Sequence, residues 1–168
     1  APYLKGIRFA VQSGDREAVL QFLVSLSSES NETFWRRNKA EVEEILMKWK
    51  EFPLFFWENA QRIPARTSER IRKFEGLSNK ILKLISPSAV ARMNEEQIVQ
   101  FLAMVKENPD IFTNVSLLRA MLIAPSAPIN ELAAKYVKDE NKFSAHWLLM
   151  LESNLPVSQQ SAFRYLET

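Results

Sequence analysis

Glycine occurs only three times in this chain of 168 residues, at Gly6, Gly14 and Gly76. Phosphate-binding loops and dinucleotide fingerprints need several glycines close together, because backbone N–H groups must approach the phosphates there. Folds built from β-strands also depend on many turns that contain glycine. The scarcity of glycine therefore excludes both kinds of nucleotide site and disfavours an all-β fold.

Apolar residues instead recur at the spacing of amphipathic α-helices. One such stripe comprises Ala18, Val19, Phe22, Leu23 and Leu26, at intervals of three and four residues. No segment shows the two-residue alternation of a strand, and 46% hydrophobic residues are enough for a core. The pattern predicts an all-α fold of about nine to eleven helices, arranged as an irregular multi-helix bundle or a short helical-repeat array.

Capping residues mark several helix boundaries in the first half of the chain. Gly14 interrupts the first apolar stripe, and Asp15 can cap the helix that follows by accepting a backbone N–H. Ser30 or Asn31 can cap the next helix, which should run to about Lys50. These residues predict three successive helices before residue 51.

Similar signals divide the rest of the chain. A helix is predicted over 66–75, and Asn94 with Gln97 three residues later resembles a capping box. Two final helices are predicted at 143–152 and 157–167. A length of 168 residues suits one all-α domain, 1–168, with possible submodules 1–85 and 86–168.

The chain is poor in residues that bind metals. It has no cysteine, so it has no disulfide framework and no thiolate metal site, and its single histidine, His146, cannot form a zinc site by itself. Because His146 lies between Ala145 and Trp147 on an apolar helix, we interpret it as a packing residue rather than a general base. No cofactor and no catalytic residue are predicted.

No apolar run approaches the roughly 20 residues of a membrane span. The absence of cysteine also suits a reducing compartment. We therefore expect a cytoplasmic protein without a transmembrane segment. The oligomeric state and any larger parent protein stay open.

Two parts of the chain resemble helical-repeat families. Residues 7–23 resemble part of an ankyrin repeat, although the opening Thr-Pro-Leu-His motif of that family is missing and no second copy follows. The matching residues are Ala10, Gly14, Val19 and Leu23. The second half is similar to HEAT-type or leucine-rich-variant repeats, since Pro87 and Pro128 open comparable units 41 residues apart. These resemblances imply helical hairpins, and an ordinary irregular bundle explains the same helices.

The segment 52–57 is the densest aromatic stretch. Its candidate contact residues are Phe52, Phe55, Phe56 and Trp57. Six consecutive apolar residues cannot all face inward from one side of a short helix. The helix is therefore either buried all round or partly exposed as an aromatic patch for a partner. We expect these side chains to belong mainly to the core.

Positive charge is concentrated in residues 62–83, which carry seven basic and two acidic residues and leave the rest of the chain at −3. The candidate contact residues are Arg62, Arg66, Arg70, Arg72 and Lys73. Arg66, Arg70 and Lys73 fall on one helical stripe, and Thr67, Ile71 and Phe74 form an adjoining stripe that should pack inward. The basic stripe either contacts the phosphates of a nucleic acid or is a solvated face whose charges pair within the same chain. We favour the solvated face.

Three functions are compatible with these features. The leading hypothesis is a non-enzymatic interaction or scaffold domain that binds a protein partner through a groove or an aromatic patch. The alternative is a nucleic-acid-binding domain that uses the basic segment 62–83. The third is an enzyme similar to the helical-repeat DNA glycosylases, for which the chain offers no supporting motif.

Overall fold

The computed structural model describes residues 2–140, which contain ten α-helices and no strand. The helices are α1 (Pro2–Ser13), α2 (Arg16–Ser25), α3 (Glu32–Met47), α4 (Phe52–Glu58), α5 (Ala65–Arg72), α6 (Leu77–Leu84), α7 (Pro87–Val90), α8 (Glu95–Glu107), α9 (Val115–Ile123) and α10 (Ala127–Glu140). Two short 3-10 helices, Glu29–Asn31 and Pro109–Thr113, precede α3 and α9. The predicted all-α fold is confirmed. His146 and the helices predicted at 143–152 and 157–167 lie outside the described residues.

The chain divides into two compact units, Ala1–Ile81 and Leu82–Thr168. This boundary lies inside α6, a few residues before the predicted division between 85 and 86. The joining of the two units into a single domain stays a prediction.

The first unit begins with a helical hairpin, in which α1 packs against α2 and also against α3. Gly14 lies between the two helices of the hairpin at a φ of 70°, a left-handed conformation that side chains larger than hydrogen disfavour. Asp15 then caps α2, because its carboxylate accepts a hydrogen bond from the Ala18 N–H at 3.1 Å. The helix–glycine–helix arrangement predicted for 7–23 is therefore present.

The start of α3 differs from its prediction. Neither Ser30 nor Asn31 caps α3, because Ser30 lies within the preceding 3-10 helix and Asn31 makes no side-chain cap bond. The φ and ψ of Asn31 are −99° and 5°, away from the extended conformation usual at a cap. Its amide instead donates to the Ser25 carbonyl at 2.7 Å and ties the serine-rich turn to the end of α2.

Helix α5 is shorter than the predicted helix over 66–75. It ends at Arg72, and the next two N–H groups, of Lys73 and Phe74, donate to carbonyls three residues back instead of four. Gly76 follows at a φ of 76° and turns the chain into α6. The tighter turn is a common way to end a helix and sets the positions of Lys73 and Phe74.

In the second unit, α9 packs against α7, α10 and the 3-10 helix Pro109–Thr113. The predicted capping box at the start of α8 is confirmed. The Gln97 N–H donates to the Asn94 side chain at 2.8 Å, and the Asn94 N–H donates to the Gln97 side chain at 3.0 Å. The main buried side chains of this unit are Phe101, Met104, Val105, Leu117, Leu118, Met121, Leu122 and Ile129.

None of the helices within residues 2–140 combines the length and the apolar character needed to cross a membrane.

Candidate partner-binding groove

The first unit contains a groove of about 520 Å³ between α3 and the end of α5, here called the α3–α5 groove. Helix α3 contributes Glu32, Trp35, Arg36, Lys39, Ala40 and Glu43. The rest of the lining is Arg70, Lys73 and Phe74. The six residues of α3 recur at intervals of three and four, so a single face of this helix forms most of the groove.

Two stacked aromatic rings form the apolar part of the lining. The ring centroids of Trp35 and Phe74 lie 6.3 Å apart with an angle of 13° between the planes, and both side chains are buried. The Arg70 guanidinium lies over the Trp35 ring, 5.4 Å from its centroid. Because these neighbours cover the rings, only small parts of each ring border the groove.

Glu32 is the centre of a cluster of charges at one end of the groove. Its carboxylate accepts hydrogen bonds from Arg70 and from Arg66, the latter at 2.7 Å, and lies 3.6 Å from Arg36. The Arg70 side chain is only 15% exposed and also donates to the Leu26 carbonyl at 3.5 Å. The hydrogen bond from Arg70 and the charges of all three arginines hold the pKa of Glu32 below its ordinary value, against a smaller opposing effect of burial.

The predicted basic contact residues are therefore mostly engaged within the chain. Arg66 and Arg70 bind Glu32, and Arg62 forms an ion pair with Glu17 at 3.0 Å. The buried Nε of Arg72 has no hydrogen-bond partner within residues 2–140. Only Arg70 and Lys73 of the five line the groove. The adjoining stripe of Thr67, Ile71 and Phe74 is buried, as predicted.

Two lysines of the lining form no ion pair in the described part of the chain. Lys39 and Lys73 are both exposed, and neither ammonium group has a hydrogen-bond or ion-pair partner within residues 2–140. The second acid of the lining, Glu43, accepts a hydrogen bond from the Glu75 N–H at 2.7 Å. With four basic and two acidic residues, the lining has a net charge of +2.

The candidate aromatic patch is located in the core. Phe52, Phe55, Phe56 and Trp57 are all buried in α4, and Leu54 and Glu58 are the exposed residues of that helix. The helix packs its rings among neighbouring aromatic residues, including Trp49. The burial of these four side chains agrees with the expectation that they belong mainly to the core.

Sequence reasoning missed most of the groove. Glu32, Trp35, Arg36 and Lys39 were not among the candidate contact residues. One signal was present, because extending the apolar stripe of α3 back by seven residues from Val42 reaches Trp35. The approach of α5 to this face depends on contacts between residues more than thirty positions apart, which helical periodicity does not encode.

Within residues 2–140 no group of three or more histidine, aspartate or glutamate side chains is placed to hold a metal ion. Comparison with known proteins gives no match to a protein-family model, to a curated protein or to a solved structure.

The charge cluster at Glu32 predicts a dependence of stability on pH. Because the folded state lowers the pKa of Glu32, its ionised form stabilises the fold above the ordinary pKa of about 4.5, and this contribution is lost as the pH falls through the lower folded value. Glu32→Gln should therefore destabilise the protein at about pH 6, and its difference from wild type should shrink toward pH 3. Urea unfolding midpoints measured across this range test the prediction.

The matched control is Glu29→Gln, which removes an exposed acid three residues earlier that has no ion pair within the described residues. The urea unfolding midpoint of this control should differ little from that of wild type, and the difference should be nearly constant with pH. If the Glu32→Gln and wild-type curves ran parallel, the carboxylate would not be coupled to the three arginines as the geometry indicates.

Proposed function

We propose that the chain is a non-enzymatic helical interaction module and that a protein partner binds in the α3–α5 groove. The observation that carries this proposal is the groove itself, a concavity of about 520 Å³ with stacked aromatic rings on one part of its lining and unpaired lysines on another. Binding sites for small ligands have volumes in this range and combine apolar walls with a few polar groups.

The groove is held in shape before any partner arrives. The ion pairs of Glu32 with Arg66 and Arg70 connect α3 to α5, and the Trp35–Phe74 stack connects the same two segments. A surface that is already ordered loses little conformational entropy when it binds, which favours affinity. This preorganisation supports a role in recognition.

A protein partner fits these contacts better than a nucleic acid. Three of the predicted phosphate-binding arginines, Arg62, Arg66 and Arg70, already pair with carboxylates of the same chain. Proteins that bind single strands stack bases on open aromatic faces, whereas Trp35 is covered by Phe74 and Arg70. Nucleic-acid binding therefore stays the alternative, and no contact in the described residues favours a glycosylase.

The resemblance to ankyrin and HEAT repeats agrees with this proposal without identifying a family. Helical repeats commonly bind proteins on surfaces formed by successive helices. We propose the same use of neighbouring helices here, limited to the groove between α3 and α5.

A steric block of the groove tests the proposal. Peptides are selected from a random dodecapeptide display library on the purified protein, and their affinities are then measured for wild type and for Ala40→Trp, which places a large side chain in the groove. We expect saturable binding to wild type and a loss of about ten-fold or more in the variant, because the indole occupies the space of the peptide. Ala91→Trp, at an exposed position of the second unit, should bind as wild type does.

Selected peptides that bind Ala40→Trp and wild type equally would show that the groove is not the binding site. A selection that enriches no peptide at all would also count against the proposal.

A further inference from the structure

The charges of the groove differ in their availability to a ligand. Lys39 lies on α3 and Lys73 follows α5. Both ammonium groups line the groove, and neither has a hydrogen-bond or ion-pair partner among the described residues. Arg36 has one long contact of 3.6 Å to Glu32, and its side chain is 77% exposed. Since a guanidinium has five N–H donors, Arg36 keeps most of them available for a ligand.

The acidic residues of the groove are unavailable by comparison. Glu32 is surrounded by three arginines, and Glu43 accepts a backbone N–H. Glu32 pairs most closely with the nearly buried Arg70, and the rest of the charged lining, Arg36, Lys39, Lys73 and Glu43, keeps a net charge of +2. A ligand that complements this surface must bring negative charge.

We infer that the partner segment is an acidic peptide whose carboxylates pair with Lys39 and Lys73 while an apolar side chain contacts the Trp35–Phe74 part of the lining. The inference rests on the proposed function and adds the chemistry of the partner to it. Lysine ammonium groups pair with single carboxylates as point charges. Of the arginines that could bind a phosphate in bidentate fashion, Arg66 and Arg70 are bound to Glu32, and Arg36 is the one whose donors stay largely available.

The composition of the selected peptides tests this inference. Peptides taken from the random dodecapeptide library by wild type should contain more aspartate and glutamate than the unselected library. Peptides selected by the double variant Lys39→Glu/Lys73→Glu should not show this enrichment, because the reversed charges repel acidic segments. The control Arg37→Glu/Lys80→Glu makes the same change in net charge at two exposed positions outside the groove lining and should retain the enrichment.

A synthetic copy of the most enriched peptide allows a direct measurement. Replacing its acidic residues with asparagine and glutamine should weaken binding to wild type by about ten-fold or more, and raising the salt concentration should weaken the acidic peptide far more than the neutral one. The double charge reversal should reduce the affinity for the acidic peptide by a similar factor.

The possible failures are distinct. If the peptides are blocked by Ala40→Trp but show no acidic enrichment, the proposed function stands and the acidic partner is wrong. If the peptides are acidic but insensitive to Ala40→Trp, both proposals fail at this groove. If a 20-nucleotide oligothymidylate displaces the peptide from wild type at submicromolar concentration and physiological salt, the groove binds nucleic acid and the peptide inference is overturned.

Discussion

Phe52→Ala is expected to lower the free energy of unfolding by about 3–5 kcal/mol, the usual cost of emptying a large aromatic site in a packed core. Phe52 is fully buried, and its ring centroid lies 6.2–6.5 Å from those of four neighbouring aromatic residues. These neighbours are Trp49, Phe55, Phe56 and Phe74. Phe55 and Phe56 are held in α4 itself, and Trp49 and Phe74 come from segments before and after it, so these rings cannot all move into the space and most of the cavity should remain.

Leu54→Ala provides the matched control for this prediction. Leu54 lies in the same helix two residues later, but its side chain is 42% exposed. Its truncation should change the unfolding free energy by no more than about 0.5 kcal/mol, as for most surface positions. Denaturant titration followed by far-ultraviolet circular dichroism measures both variants. If Phe52→Ala and Leu54→Ala both lowered the unfolding free energy by a similar small amount, the placement of the aromatic segment in the core would be contradicted.

Asn130→Ala is expected to cost about 1–3 kcal/mol, although it removes only a small polar side chain. Asn130 is buried at the start of α10, and its Nδ2 lies 2.8, 3.1 and 2.9 Å from the carbonyl oxygens of Met121, Leu122 and Ala124. Met121 and Leu122 lie in the last turn of α9 and Ala124 is its C-cap residue, where few backbone N–H groups are available; one of them, of Ala124, donates to the Met121 carbonyl at 3.4 Å. Alanine would leave these carbonyls buried with less hydrogen bonding.

Asn130→Asp separates the hydrogen bonds from side-chain size, because it keeps the shape of asparagine and replaces the donor with an acceptor. At neutral pH it should cost more than alanine, since a buried carboxylate faces carbonyl oxygens. Burial raises the pKa of such an aspartate, so its folded form binds a proton more readily and the deficit should shrink as the pH falls from about 7 toward 4.

Both variants are assayed by chemical unfolding, with Glu131→Ala at the next, exposed position as the control. If Asn130→Ala unfolded at the same denaturant concentration as that control, the three hydrogen bonds would contribute nothing measurable.

The sequence predicts local features of this fold well. Gly14, Asp15 and the Asn94–Gln97 pair were identified because the interactions that fix them lie within a few residues along the chain. The prediction at Asn31 was wrong because its side chain is turned toward the end of α2, where it donates to the Ser25 carbonyl, and accepts no bond from the first N–H groups of α3.

The candidate site was less predictable for a related reason. The segment 62–83 was identified by its charge, but the acids that pair with its arginines, Glu17 and Glu32, lie more than thirty residues earlier. Charge counted along the chain cannot show which cations remain available once distant segments pack together. Lys73 was among the candidate residues, whereas Lys39, its counterpart across the groove, lies outside the basic segment.

The convergence of Arg36, Arg66 and Arg70 on Glu32 also affects selectivity. A chain with the same helices but an uncharged residue at position 32 would leave Arg66 and Arg70 without their carboxylate partner, beside Arg36, Lys39 and Lys73. Such a cationic surface attracts polyanions of every kind, including nucleic acids and anionic membranes. By pairing with Arg66 and Arg70, one carboxylate lowers the positive charge of this surface, so that ligands with few charges and a fitting shape are favoured over long, uniformly charged polymers.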